Sequence, residues 1–144
     1  MNGRIKIPGH IRTFVEGELR EYHALLAKAR RLKQEKDDIY NRTRQPIGEP
    51  VKGSHSGDPT SSAAIMAEKI DRQIVQSEYR IAKVNAGLSE CTAQERELVE
   101  IRYLQAYEPT DEEAMAHLRY GNRGAYFNAK FSAIRNIANA WGLM

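Results

Sequence analysis

The sequence predicts an all-α protein: a long antiparallel helical hairpin followed by a trihelical helix-turn-helix domain. Three observations carry this prediction. Apolar residues recur every three or four positions through most of the chain. Thr-x-x-Glu boxes, which open helices by reciprocal bonding of side chain and backbone, stand at Thr13, Thr92 and Thr110. Proline and glycine are densest in one central stretch, residues 43–58, rather than recurring evenly as the turns of a β domain would.

Residues 1–12 are basic and broken by Gly3, Pro8 and Gly9, so an irregular basic arm is expected there. The hairpin is expected over residues 13–91, opening with the Thr13–Glu16 box. Its first helix carries Val15, Leu19, Tyr22, Leu25, Leu26, Ala29, Leu32, Ile39 and Tyr40, a narrow stripe that needs a partner helix. Residues 43–58 hold no periodicity and form the expected loop tip, closed by Asp58-Pro59, a cap followed by proline at the first helical position. The returning helix runs to about Ala86 on Ala63, Met66, Ile70, Ile74, Ser77, Ile81, Val84 and Leu88, with Gly87 to Cys91 as a connector. Both stripes are narrow, so the hairpin is expected to pack on the C-terminal helices or, as a dimerisation element, on a second copy of itself.

Residues 92–144 form the expected helix-turn-helix domain, with helices at 92–105, 111–118 and 123–141. Ala114, Met115 and Leu118 face inward on the short middle helix. The turn falls at Tyr120-Gly121-Asn122, where glycine would supply a positive φ and Asn122 would cap the last helix. That helix has an expected inward stripe of Phe127, Phe131, Ile134, Ala138 and Trp141. Charge is divided sharply here. Residues 92–113 carry seven carboxylates against Arg96 and Arg102, whereas residues 114–144 carry Arg119, Arg123, Lys130 and Arg135 with no carboxylate. An acid-free basic helix suits a phosphate-facing surface.

The totals bound the function. A chain of 144 residues fits one domain, or a small domain with an extended element. With a net charge of only +3, any basic surface must be local. The single Cys91 excludes an intramolecular disulfide and fits a reducing compartment, and no window has the length of a membrane span or signal peptide. A cytoplasmic location in a bacterial host cell and no membrane partner are therefore expected. His10, His23, His55 and His117 lie in four different elements without metal-ligand spacing, so no metal and no cofactor are expected. Phosphate-binding glycine loops and nucleophile elbows are absent from the sequence, and no enzyme is expected. Cys91 has no local signature of a nucleophile and is expected to be structural, although its place just before a helix start favours a lower thiol pKa.

The C-terminal residues resemble sigma-70 region 4, and the chain as a whole resembles the RinA/ArpU-type phage transcriptional regulators of Gram-positive hosts. The resemblance lies in Leu19-Arg20-Glu21-Tyr22, in Gly57-Asp58-Pro59-Thr60 at the second helix entry, and in the Glu97 to Leu104 helix. The family's recognition helix opens with a Ser-Arg-Ser-Thr-Tyr-Tyr-like run. The matching residues here are Asn122-Arg123-Gly124-Ala125-Tyr126-Phe127, which keep the arginine and the aromatic pair but lose the hydroxyls. The resemblance implies a phage-encoded activator of late genes for packaging and morphogenesis.

The expected partners are double-stranded DNA, a second copy in a homodimer, and host RNA polymerase. Asn122, Arg123 and Asn128 are expected to reach base edges or phosphates, while Tyr126, Lys130 and Arg135 hold the DNA backbone. Two alternatives stay open. One is a terminase small subunit that recognises packaging-site DNA; the other is a module that binds RNA polymerase without touching DNA.

Overall fold

The computed structural model describes the backbone of residues 5–44 and 59–144 and the side chains of 5–42 and 62–144. Every regular element among the described residues is helical: α1 Gly9–Arg20, α2 Tyr22–Arg44, α3 Pro59–Ser89, α4 Ala93–Tyr103, α5 Asp111–Leu118 and α6 Arg123–Ala140. The expected loop tip, apart from Thr43 and Arg44 at the end of α2, and the Asp58 cap lie outside the described residues.

The described chain forms two compact units, Leu26–Tyr79 and the combination of Met1–Leu25 with Arg80–Met144. The expected boundary at residue 92 therefore falls inside a unit. In that larger unit, Val15 and Leu19 of α1, Val84 and Leu88 of α3, and Val99 and Tyr103 of α4 enclose Ala133, Ile134, Ile137 and Ala138 of α6. Each fully buried Leu or Ile here contributes about 1.5–3 kcal/mol. A second cluster joins Leu98 of α4, Ala114 of α5 and Tyr126 of α6. In the smaller unit Leu32 of α2 packs on Ile70 and Ile74 of α3. Lys33 pairs with Glu78 and Lys36 with Asp71, each at 2.7 Å. Positions rise along α2 as they fall along α3, so the two helices run antiparallel in this unit.

Local chemistry explains the helix starts. Thr92 and Thr110 form complete capping boxes with Glu95 and Glu113. Asn122 caps α6, its Oδ1 accepting from the Ala125 N–H at 2.7 Å. The Thr13 box does not form. The helix begins earlier, at Gly9, because Pro8 opens it: the Pro8 carbonyl accepts from the N–H groups of Ile11 and Arg12, both at 3.0 Å. Residues 9–12 are thus helical rather than part of an irregular arm. The first helix is also not continuous to residue 42; it is interrupted at Glu21, where the Arg80 guanidinium binds Glu21 and Glu18.

Two glycine expectations change. The positive φ between α5 and α6 belongs to Arg119 (φ 63°, ψ 38°), not Gly121. The N–H of Tyr120 bonds the Met115 carbonyl at 3.0 Å and that of Arg119 the Ala116 carbonyl at 3.2 Å. This six-to-one closure places the left-handed residue two positions before Gly121. Gly87 is not a connector but an interior residue of α3, which lets α3 approach α6. A Cβ there would lie 2.8 Å from Ile137 Cγ2 and 3.1 Å from Trp141 Nε1.

These geometries make a denaturation series decisive. Arg119→Gly relieves a left-handed L-residue and is expected to stabilise by about 0.5–1 kcal/mol. Gly121→Ala should fall within about 0.5 kcal/mol of the parent. Gly87→Val should cost about 2–3 kcal/mol through overpacking. Urea unfolding monitored by helicity measures all three, and a large loss at Gly121 with none at Gly87 would contradict the assignment.

Candidate nucleic-acid interface

The C-terminal helix was expected to present six residues to a ligand, and the structure separates them. Tyr126 is 0% exposed and Lys130 5%, so both belong to the interior. The inward stripe of α6 is Tyr126, Lys130, Ala133, Ile134, Ile137 and Ala138, rotated from the expected one; Phe127 and Phe131 are only half-buried. The cause is an ionic network centred on Asp111, the first residue of α5. Its carboxylate accepts from Arg102 Nε at 2.9 Å, Tyr126 Oη at 2.7 Å and Lys130 Nζ at 3.1 Å. Glu16 of α1 accepts from Tyr103 Oη and lies 3.8 Å from Lys130 Nζ. Glu108 bonds both Arg102 at 2.6 Å and Arg20 at 2.9 Å. Arg20, Arg102 and Lys130 thus face Glu16, Glu108 and Asp111, and Arg12 lies 3.8 Å from the same Glu16. A buried ammonium without these partners would cost several kcal/mol; with them, the apolar stem of Lys130 can sit in the core.

Burial alone would raise the Asp111 pKa, but the hydrogen bonds from Arg102 and Tyr126 and the charge of Lys130 outweigh it and hold the group at about 2. A second polar clamp lies at the other end of α4. Glu95 accepts from its own cap, the Thr92 N–H at 2.9 Å, and from Ser132 Oγ and Asn136 Nδ2 of α6. Burial opposes ionisation of Glu95 too, yet the bonds from Ser132, Thr92 and Asn136 lower its pKa. Cys91 is buried, as expected of a structural thiol, but its pKa moves up rather than down. Burial pushes its thiol up to about 11, with the Glu95 charge adding to the rise, because the side chain points into the core rather than at the helix start.

The remaining expected residues are at the surface. Asn128 and Arg135 lie on the outward side of α6 together with Gly124 and Asn139, and neither side chain is engaged by another part of the described chain. Arg123 is exposed, bonds Glu112 at 2.9 Å and stacks over Phe127 at 5.0 Å. The Asn122 oxygen is committed to its cap, which leaves its amide N–H groups for a ligand. Folding adds one residue that sequence reasoning missed: Arg12 of α1 lies over the Phe131 ring at 5.4 Å, bringing its charge beside α6. Only the packing of α1 on α6 reveals it; a separation of over a hundred residues gives no local signal. Arg119, in the turn, is also exposed.

Among the described residues no group of three His, Cys, Asp or Glu side chains is placed to hold a metal, and no helix is long and apolar enough to cross a membrane.

The network makes stability pH-dependent. Asp111, Glu95 and Glu108 all have native pKa values below their ordinary ones of 3.8, 4.5 and 4.5. Their stabilisation is complete above the unfolded values and lost as pH falls through the native ones. Stability should therefore hold level down to about pH 5 and fall between roughly pH 4.5 and 2. Asp111→Ala, which leaves Arg102 and Lys130 facing each other, should cost about 3 kcal/mol or more at pH 7 and flatten the acid limb. Urea titrations at a series of pH values measure both effects; an unchanged acid limb in the variant would contradict them.

Comparison of the chain with family models, with characterised proteins and with solved structures finds no match.

Proposed function

We propose that the chain is a sequence-specific, double-stranded-DNA-binding transcription regulator that acts as a homodimer, with the outward face of α6 as its reading surface. The observation that carries this reading is the pairing of that face with its support. Asn128 and Arg135 stand free on a helix with no carboxylate of its own, while the opposite side of the same helix is fixed by the Asp111 and Glu95 clamps. A short helix, a tight turn and a second helix with its amide and guanidinium groups outward is the arrangement that enters a major groove. Asn pairs bidentately with adenine and Arg with guanine. Arg12, exchanging Glu16 at 3.8 Å, and the exposed Arg119 of the turn serve as phosphate ligands in place of the buried Lys130 and Tyr126. Arg123 joins them by exchanging Glu112 for a phosphate.

Fluorescence anisotropy on a random duplex and on a sequence selected from a pool tests the reading. Binding should weaken with a log–log salt slope of about −2 to −4, as expected for a few phosphate contacts. Arg135→Ala should reduce the magnitude of that slope by about one. Asn128→Ala should leave the slope unchanged and lower the preference for the selected sequence by roughly 5- to 150-fold. Affinity insensitive to salt, or absent at low salt, would instead make α6 a protein-binding surface.

A further inference from the structure

A second surface lies on the part of α3 that belongs to the smaller unit. The packing side of this helix turns Ile70, Ile74 and Ser77 inward. Its opposite side bears Ile65, Glu68, Arg72, Val75 and Tyr79, spaced three, four, three and four apart, the seam of a heptad. These residues are open to solvent. Ile65, Val75 and Tyr79 are 63%, 64% and 69% exposed, and the side chains of Glu68 and Arg72 are 65% and 73% exposed. Within the chain Arg72 bonds Glu68 at 2.8 Å.

The order along the seam is apolar, anionic, cationic, apolar. That order is its own complement when a second copy is turned end over end. With the two-fold axis level with residue 70, Ile65 faces Val75 of the second copy and Glu68 faces its Arg72, and each layer occurs twice. All four layers then join an a position to a d position, as an antiparallel coiled coil requires. A parallel alignment would instead set Arg72 against Arg72 and Glu68 against Glu68. On one rim the carboxylates that would otherwise crowd this contact are already neutralised, Asp71 by Lys36 and Glu78 by Lys33. On the other rim Lys69 is exposed, its long stem free to turn its charge to water.

We propose that α3 docks antiparallel on α3 of a second copy of this chain through Ile65, Glu68, Arg72 and Val75. The apolar layers supply the attraction and the crossed charge layers select register and direction. The surface gives the homodimer of the DNA-binding reading its contact, and in that respect rests on that reading, but it does not require α6 to touch DNA.

Engineered cysteines in the full-length chain test it. Ile65→Cys/Val75→Cys should form a disulfide-linked dimer on mild oxidation. Neither single variant should, because identical positions in the antiparallel register lie about 15 Å apart along the axis, beyond the roughly 7 Å reach of a disulfide. The native thiol is buried and does not compete. In sedimentation velocity without oxidant, Arg72→Glu should weaken self-association about tenfold and Glu68→Arg/Arg72→Glu should restore it. Cross-linking by the single variants, no linkage in the double variant, or no recovery on the double charge reversal would overturn the proposal. DNA affinity is measured in parallel: its survival alongside a failed cross-link rejects this surface alone, and its absence alongside a successful one rejects the DNA-binding reading alone.

Discussion

The carboxylate of Asp111 is the constraint on which the larger unit depends. It sits at the N-terminus of α5, where the helix dipole already favours an anion, and draws Arg102 from α4 with Tyr126 and Lys130 from α6. Glu16 and Glu108 supply further carboxylates to the same cations. Hydrophobic burial is non-directional, so the apolar residues of α6 would tolerate several rotations of that helix. Buried ion pairs would not, because their desolvation is offset only at hydrogen-bonding distance. The network therefore fixes the rotation of α6, and with it the residues that face outward.

That rotation links structure to function. Turning Tyr126 and Lys130 inward places Gly124, Asn128, Arg135 and Asn139 on the open side, and the Glu95 clamp on Ser132 and Asn136 holds the middle of the helix to the same setting. The far end is tied to α3, where Trp141 Nε1 donates to the Lys83 carbonyl at 2.7 Å beside Gly87. A helix face held in this way would give up little conformational entropy in the proposed contact with DNA. Its cations are fewer than the sequence total suggests, since Lys130 is neutralised inside and Arg123 is held by Glu112. Under the proposed DNA-binding reading, recognition would rest on amide and guanidinium geometry, supported by a modest electrostatic attraction.

Much of the helical framework was legible in the sequence. The boxes at Thr92 and Thr110 and the Asn122 cap act through contacts three residues apart, so short-range pattern sufficed to place α4, α5 and α6. What escaped was long-range. Thr13 looked like a cap, but Pro8 opened the helix first and Glu16 was drawn to Tyr103, 87 positions away. Lys130 looked like a phosphate ligand because charge is normally solvated; only the approach of Asp111 and Glu16 shows that the interior can hold it. Gly87 looked like a linker glycine, and its true role, admitting Ile137 and Trp141, depends on another helix. The structural role of Cys91 is legible from its lack of partners for chemistry, but its raised pKa is not, since the thiol answers to the core around it rather than to the helix that follows.

The central claim is that one face of α6 meets DNA while the other is locked by the ionic network. Amide and side-chain NMR shifts during titration with a selected duplex test it most directly. The account predicts that Gly124, Asn128, Arg135, Asn139 and Arg12 shift progressively while the Lys130 and Tyr126 side chains stay in place. Shifts centred on Lys130 and Tyr126, or none on α6 with the duplex bound, would contradict it.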